Sequence, residues 1–437
     1  MNNYSQRLHN IIPGGAHTYS RGDDQFPANA PGILVRGEGA YVWDPDGNKY
    51  LDYGMGLRSV NLGYANKEVA EAVMVEILKG NNLTRPSITE LEAAELLSAT
   101  IPAAEMVKFA KHGSTVTTAA IKLSRAYTGR KYIAVPFEQP FFSFDDWFIG
   151  STVISKGVPE ESSMFTLKFK YNDIASLEAL FTQYPNQIAA VMLEPASTVG
   201  PGVNGTTGEN FLHKVKHLAS KNGSVFILDE MITGFRWHLK GAQHYYNVVP
   251  DLCTFGKAMA NGFAVAALTG KREIMQLGSI LEEGKERVFL TSTTHGAEMG
   301  ALGAFIKTVE ILKRDNVVDH FWSYGQKLMD GLNDIAKQLG ISDYFEVNGY
   351  PCSLNYVTRD TNKEPSFAYR TLFAQEMINN KIIIPYIALS HAHSNTELDI
   401  TLSAAYNSLK VYANALDTGV APLLKGHTIK PVFRKYN

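Results

Sequence analysis

Cysteine is scarce. Cys253 and Cys352 are the two present in 437 residues, far apart and without the spacing of a metal site. That argues against a cysteine-built metal centre and suits a reducing compartment. Net charge is lacking too: 41 basic residues against 43 acidic ones leave −2. No basic face is therefore offered to nucleic acid or to an anionic membrane surface. No uninterrupted run of roughly 18 apolar residues occurs, so no membrane-spanning helix is expected. The opening MNNYSQRLHN is polar and has no apolar centre of the secretory kind. Internal repeats and low-complexity tracts are missing as well. These absences lead to the expectation of a soluble cytoplasmic protein, with neither nucleic acid nor membrane as partner.

What is present is a chain that is 45% hydrophobic, long enough for two or three domains. The first sixty residues are rich in Gly, Pro and aromatics, and AYVWDPDGNKYLDY reads as a hairpin around Pro45, Asp46 and Gly47. From about Lys67 to Lys313 helical patterns alternate with short apolar runs, the signature of parallel β/α construction. Its clearest unit is a strand over 188–193 (IAAVML), a helix over 211–221 with Gly223 just beyond its end, and the strand SVFILD. After about residue 315 the pattern becomes helix, a Gly/Pro-rich middle (VNGYPCSLNYV), and helices around 366–380 and 396–415. The expected fold class is α/β: a large domain with a mostly parallel central sheet flanked by helices, plus a smaller α+β domain. The expected division is an N-terminal segment 1–66 serving the small domain and the active-site entrance, a large domain 67–314, and a C-terminal small domain 315–437.

Two segments carry chemistry at the ends of such strands, where ligands of open α/β sheets sit. SVFILD ends in Asp229, followed by Glu230; one of the two could simply cap a helix. PDLCTFGKAMANG places Lys257 after another apolar run, between Gly256 and Ala258. A buried lysine is costly unless paired or employed, and small neighbours leave space at its amine. A nucleotide-phosphate loop does not fit, since Asp251 stands where that motif needs Gly and Ala258 where it needs Ser or Thr. An amine and a carboxylate on adjacent strand ends suit an aldehyde cofactor: lysine bonds the aldehyde and aspartate keeps a pyridine nitrogen protonated. FAKHGSTVTTAAIKLSRAYTGR opens a helix with Gly113, Ser114 and Thr115 and stops at Gly129. Free N–H groups and hydroxyls at that helix start form a candidate phosphate site, or a plain Ser/Thr cap.

Together, LDEMITGFR, PDLCTFGKAMANG and LSRAYTGR resemble the class III, fold-type I pyridoxal-phosphate aminotransferases, most closely the glutamate-1-semialdehyde aminomutase branch. The resemblance runs from IPGG at residue 12 to SHAHSNTELDITLSAA at 390–405. It implies pyridoxal 5′-phosphate, or its pyridoxamine form, as cofactor, with Lys257 as the lysine of the internal aldimine and Asp229 as the partner of the pyridine nitrogen. Glu230 is implied to support local structure, and Gly113, Ser114 and Thr115 to match the phosphate cradle. Phe141, in FEQPFFSFDDW, falls where relatives stack an aromatic residue on the cofactor ring. Thr293, in TSTTHGAE, with Thr294 as the adjacent fallback, aligns with a threonine that reaches the phosphate from a neighbouring subunit. A homodimer with its active site at the subunit interface follows. Arg21, in PGGAHTYSR, matches a substrate-carboxylate arginine, a role guanidinium suits; otherwise it is a loop arginine in a surface ion pair.

Departures from the family pattern touch the substrate side. Lys111-His112-Gly113 replaces Asn-Ser-Gly, Phe141-Phe142-Ser143 replaces Tyr-His-Gly, and Thr294-His295-Gly296-Ala297 replaces Ser-Gly-Asn-Pro. The chain also looks shorter between Pro385 and Ser390. Arg58, Asp145, Asp146 and His295 are polar groups that could line the substrate side or serve structure alone. His391 and His393 read as polar packing rather than metal ligands. The implied activity is transfer of an amino group between a small-molecule donor and a carbonyl acceptor. Two alternatives stay open: glutamate-1-semialdehyde 2,1-aminomutase, and a non-catalytic regulator or scaffold of the same fold.

Overall fold

The computed structural model describes residues 4–437, and these fall into two compact units. One comprises the described residues up to Asn66 together with Asp319–Val432; the other comprises Lys67–Val318 and Phe433–Asn437. The second boundary thus lies slightly beyond the expected 314, within the first turn of the helix Val317–Gln338. The segment Phe433–Asn437, expected in the C-terminal domain, groups instead with the large unit.

In the small unit β1 (Arg36–Glu38), β2 (Tyr41–Trp43) and β3 (Lys49–Asp52) form an antiparallel meander. The β2–β3 turn is closed by Asp44, whose Oδ1 accepts from the N–H groups of Asp46 and Asn48, the local bonding that makes Asp a turn residue.

The large unit is built on seven strands: β4 (Met106–Ala110), β5 (Tyr132–Pro136), β6 (Thr166–Phe169), β7 (Ile188–Leu193), β8 (Val225–Asp229), β9 (Leu252–Phe255) and β10 (Ala266–Gly270). Their order is β4-β10-β9-β8-β7-β5-β6. Every residue of β7 and β8 is buried, as continuous apolar strands covered on both faces require. The helix Phe211–Lys221 between them starts under Asn210, whose side chain accepts from the N–H groups of Leu212 and His213. The sequence pattern did not announce that β10 runs antiparallel to both its neighbours, β4 and β9. The helix Gly113–Thr128 lays Val116, Ala120 and Leu123 into a core shared with Ile133, Val135 and Ile227. It ends at Gly129 in the left-handed conformation, φ 67°.

The rest of the small unit follows. β11 (Phe345–Tyr350) and β12 (Ser353–Thr358) make a hairpin out of the VNGYPCSLNYV stretch, and β13 (Ile382–Ile383) adds to β3 in parallel. The helices Phe367–Asn379 and Asn395–Thr418 complete it. The second carries a capping box in which Ser394 and Glu397 satisfy each other's backbone N–H groups. No helix of the described residues is long and apolar enough to cross a membrane.

Candidate active site

Strand direction decides where the candidate residues meet. Because β10 opposes both β4 and β9, those two run the same way, and β8 is parallel to β9. The segments leaving β4, β8 and β9 therefore emerge at one edge of the sheet. Register makes them level there. Ala266 pairs with Ala110 and Ala267 with Phe255, while Asp229 pairs with Thr254. The turn at Gly113, the carboxylate of Asp229 and the segment Gly256–Lys257 are brought to the same carboxyl edge, the binding edge of such sheets.

Asp229 is the last residue of β8 and almost fully buried. Its Oδ1 accepts from the Met231 N–H at 3.0 Å and from the Thr254 hydroxyl at 3.1 Å; Oδ2 has no hydrogen bond among the described residues. Burial pushes its pKa from 3.8 up to about 6, a rise moderated by the Lys257 ammonium and by those two donors. The carboxylate is thus under-compensated and within electrostatic reach of Lys257. Lys257 opens a short 3-10 turn, Lys257–Ala260, with φ at 38°. A non-glycine residue in that left-handed region carries backbone strain of about 1–3 kcal/mol.

Glu230, one residue on, is buried by a different design. Its carboxylate accepts from the N–H groups of Ala242 (2.5 Å) and Gln243 (3.1 Å), from Gln243 Nε2 (3.0 Å) and from the Thr233 hydroxyl (3.2 Å). Burial still raises its pKa, yet both oxygens are occupied. Glu230 is the structural member of the pair: it ties the segment after β8 to the start of the helix Ala242–Tyr245.

Met231 is the residue that sequence reasoning missed. Its Sδ lies 2.9 Å from where a Cβ would stand on Gly113 and 2.6 Å from the corresponding point on Gly256. The thioether fills the space between the turn after β4 and the segment carrying Lys257, and both glycines are required for it. At Gly256 φ is −177°, which any residue adopts, so space excludes a side chain there. Nothing in the spacing of LDEMITG marks Met231, since the contact joins three separate strand ends.

At the start of the helix Gly113–Thr128, Ser114 is buried and its hydroxyl accepts from the Phe144 N–H at 3.0 Å. The Thr115 hydroxyl lies 3.0 Å from His112 Nδ1, and the His112 ring leans on Phe144 with centroids 5.2 Å apart. The Thr117 hydroxyl donates to the Phe142 carbonyl at 2.8 Å. Thr118 donates to Asp145 Oδ2 at 2.5 Å and accepts from the Trp147 indole at 2.8 Å. One face of the helix is thereby stitched to the segment 142–147, and Asp145 serves that seam. Asp146 is exposed at the start of the helix Asp146–Ile149. Gln139 fixes the same segment to the end of β7, donating to the Glu194 carbonyl and accepting from its N–H.

Phe141 projects from this pinned segment, 44% exposed, while Phe142 is buried in the core. The Phe141 ring meets Phe148 edge-on and Phe433 at a tilt, both at 6.3 Å between centroids. Thr293 and Thr294 are exposed; the Thr294 carbonyl accepts from Asn82 Nδ2 at 3.1 Å, and His295 is exposed beside it.

In the small unit Arg21 ends a 3-10 turn, Tyr19–Arg21, and lines a cavity of about 660 Å³ with Asp52, Tyr64 and Tyr386. The surface ion pair weighed for Arg21 is not formed: its guanidinium makes no hydrogen bond or ion pair among the described residues. Asp52 is buried and engaged by the Tyr64 hydroxyl at 2.6 Å and by the N–H groups of Gly54 and Met55. Arg58 donates to the Ser353 hydroxyl and stacks over Tyr386. His393 stacks on Tyr53 at 4.5 Å and accepts from the Ser390 N–H. Burial holds its pKa down at about 4.

A strained lysine beside a buried, half-satisfied carboxylate, with an open helix start at the same sheet edge, fits a group that presents an aldehyde, a basic ring nitrogen and a phosphate. Similarity to known proteins points the same way. The family "Aminotransferase class-III" matches residues 19–378. A glutamate-1-semialdehyde 2,1-aminomutase from Alkaliphilus metalliredigens is 31% identical, covering 92% of this chain and 94% of its own. One from Francisella tularensis subsp. tularensis is 32% identical over 90% of this chain and 94% of its own. In fold, the FumI protein of Sphingopyxis sp. MTA144, solved in its PLP internal aldimine form, superimposes with a TM-score of 0.85 at 23% identity, over 96% and 98% of the two chains. A glutamate-1-semialdehyde aminomutase from Pseudomonas aeruginosa does so with 0.79 at 17%, over 94% of each. The fold is therefore that of the fold-type I transferases. With the family pattern spanning most of its length and relatives above 30% identity along nine-tenths of it, this chain belongs to the class III aminotransferases.

Proposed function

We propose that the protein is a pyridoxal 5′-phosphate-dependent aminotransferase that moves an amino group from a small-molecule donor to a carbonyl acceptor. The observation that carries this reading is the buried Asp229 carboxylate, short of partners and electrostatically coupled to Lys257. The cofactor, alternating between its pyridoxal and pyridoxamine forms, supplies an electron sink and a temporary home for the amino group. Asp229 contributes a fixed negative charge where the ring nitrogen takes a proton, and its burial makes that charge strong. Lys257 would hold the cofactor through its amine and would carry a proton to and from the reacting carbon. Gly113, Ser114 and Thr115 offer N–H groups and hydroxyls to the phosphate. Phe141 stacks on the ring, and Arg21 grips a substrate carboxylate with a guanidinium that forms no bond among the described residues.

We further propose that the working unit is a homodimer, with Thr293 or Thr294 reaching the partner's phosphate. The support is a run of large exposed apolar side chains in the large unit: Met74, Val75, Leu78, Leu83, Ile88 and Leu91, with Leu78 79% exposed. Isolated exposed leucines need no explanation, but so many large exposed apolar side chains within one short stretch of chain support an interface there. Asn81 and Asn82, inside that run, bond Met299, Gly300 and Thr294, so the patch adjoins the threonine turn. Cytoplasmic residence is part of the proposal and agrees with two buried free thiols, Cys253 and Cys352.

The second reading, an aminomutase in which donor and acceptor carbons share one molecule, is favoured by the names of the relatives at 31–32% identity. Supplying glutamate 1-semialdehyde alone to the purified protein separates the two. Sustained formation of 5-aminolevulinate supports the mutase; amino transfer that requires a second substrate supports the transaminase. A protein whose bound cofactor spectrum responds to no amino donor is a scaffold instead.

A further inference from the structure

We propose that Phe433, at the head of the C-terminal tail, is a positioning residue that holds Phe141 against the cofactor ring. This rests on the reading of Phe141 as the ring's stacking partner.

A phenyl ring has no hydrogen-bonding atom, so its orientation is set by what it packs against. Around Phe141 the backbone is well fixed: Gln139 is tied to Glu194, and the Phe142 carbonyl to Thr117. The Phe141 side chain nevertheless stands 44% exposed. Its ring contacts among the described residues are Phe148 and Phe433. Phe148 is a fixed wall, buried among Phe142, Trp147 and the Lys168 ammonium, which sits 4.6 Å from its ring centroid. Phe433 is the other wall. It belongs to a segment that groups with the large unit although the chain up to Val432 belongs to the small one. The segment also lies outside residues 19–378, so the family pattern does not account for it. With Phe148 perpendicular to one edge (86°) and Phe433 tilted at 44°, two contacts fix a ring that one contact would leave free to turn.

The test is cofactor binding by the full-length apoprotein, read as the dissociation constant of pyridoxal 5′-phosphate and the visible circular dichroism of the bound form. Phe433→Ala should weaken binding about threefold to tenfold, the worth of one aromatic pair, and reduce the dichroism. Phe433→Tyr should restore both. Phe141→Ala should weaken binding at least as much, and the double variant should match Phe141→Ala alone, as expected of coupled residues. Phe433→Leu, which keeps the apolar volume without the ring, should fall between wild type and Phe433→Ala. If Phe433→Ala titrates like the wild type while Phe141→Ala does not, the role of Phe433 is overturned and that of Phe141 stands. If Phe141→Ala also binds like the wild type, the stacking assignment falls and takes this proposal with it.

Discussion

The carboxyl edge of the large unit's sheet and the Arg21 cavity of the small unit are finished to different degrees. At the sheet edge three strand ends are held level by register, Met231 fills the space between two glycines, and Glu230 has every oxygen occupied. In the cavity Arg21 is exposed, its guanidinium making no bond among the described residues, beside an Asp52 already satisfied by Tyr64 and two N–H groups. The first arrangement is preorganised for one group of fixed shape. The second leaves an exposed guanidinium, the group proposed above to grip a substrate carboxylate. Cofactor chemistry tolerates no misplacement of its reacting atoms, whereas specificity is a difference between competing ligands and can be carried by a few free polar groups.

Substitutions sharpen that contrast, beginning with the largest effect. Lys257→Ala should lower amino transfer by about 10⁴-fold, the upper range for a positioned acid–base group, while the folded protein persists; rapid-mixing spectroscopy of the half-reaction with a donor measures it. Asp229→Ala should cost about 10³-fold in kcat, comparable to losing a main electrostatic stabiliser. Its pH behaviour is more telling. With its pKa pushed up to about 6, Asp229 is neutral below that pH and charged above it. Cofactor affinity of the apoprotein should therefore rise as pH climbs through about 6, and Asp229→Asn should abolish that inflection. For stability the sign is opposite. A carboxyl raised from 3.8 in the unfolded chain to about 6 in the fold contributes stability below the lower value that is lost as pH rises through the higher one. At pH 7 the Asn variant of the apoprotein should accordingly be more stable than wild type in urea, by up to about 3 kcal/mol.

Glu230→Ala should do the reverse of that last change. It strips the acceptor from Ala242, Gln243 and Thr233 and should destabilise the protein by about 3 kcal/mol, since buried donors left unpaired cost about 1–3 kcal/mol each. Calorimetry compares the two. Adjacent carboxylates whose removal moves stability in opposite directions would establish that one serves the fold and the other the chemistry. The smallest effect is expected in the cavity. Arg21→Ala should raise KM for carboxylate-bearing substrates about tenfold to a hundredfold, the worth of a charge-assisted bond, with the melting temperature and cofactor affinity unchanged. An unaltered KM across carboxylate and non-carboxylate donors would reduce Arg21 to a surface residue.

Much of the large unit was legible because its signals are local. The strand 188–193, the helix 211–221 and the stop at Gly129 follow from apolar runs, periodicity and a left-handed glycine. The Asp229 and Lys257 positions were legible for the same reason: each ends a buried run at a place where a charge is costly. The reversal of β10 was not, since AALTG is apolar whichever way it runs and its direction is decided by pairing on both sides. Met231 and Phe433 were hidden likewise. The first matters through contacts with two glycines from other strand ends, the second through a ring far away in the chain. Phe141 shows the limit of motif matching. Its match to the family comes from its position in the sequence, whereas its 44% exposure and its contact with Phe433 belong to the folded chain.

The most direct test of the central claim, that Asp229 and Lys257 serve one ring, is nitrogen NMR of the holoenzyme reconstituted with ring-¹⁵N-labelled pyridoxal phosphate. The chemical shift of the ring nitrogen should be that of the protonated form at pH 7 in the wild type and move to the neutral form in Asp229→Asn. A neutral ring nitrogen in the wild type, or a protonated one indifferent to residue 229, would contradict the account.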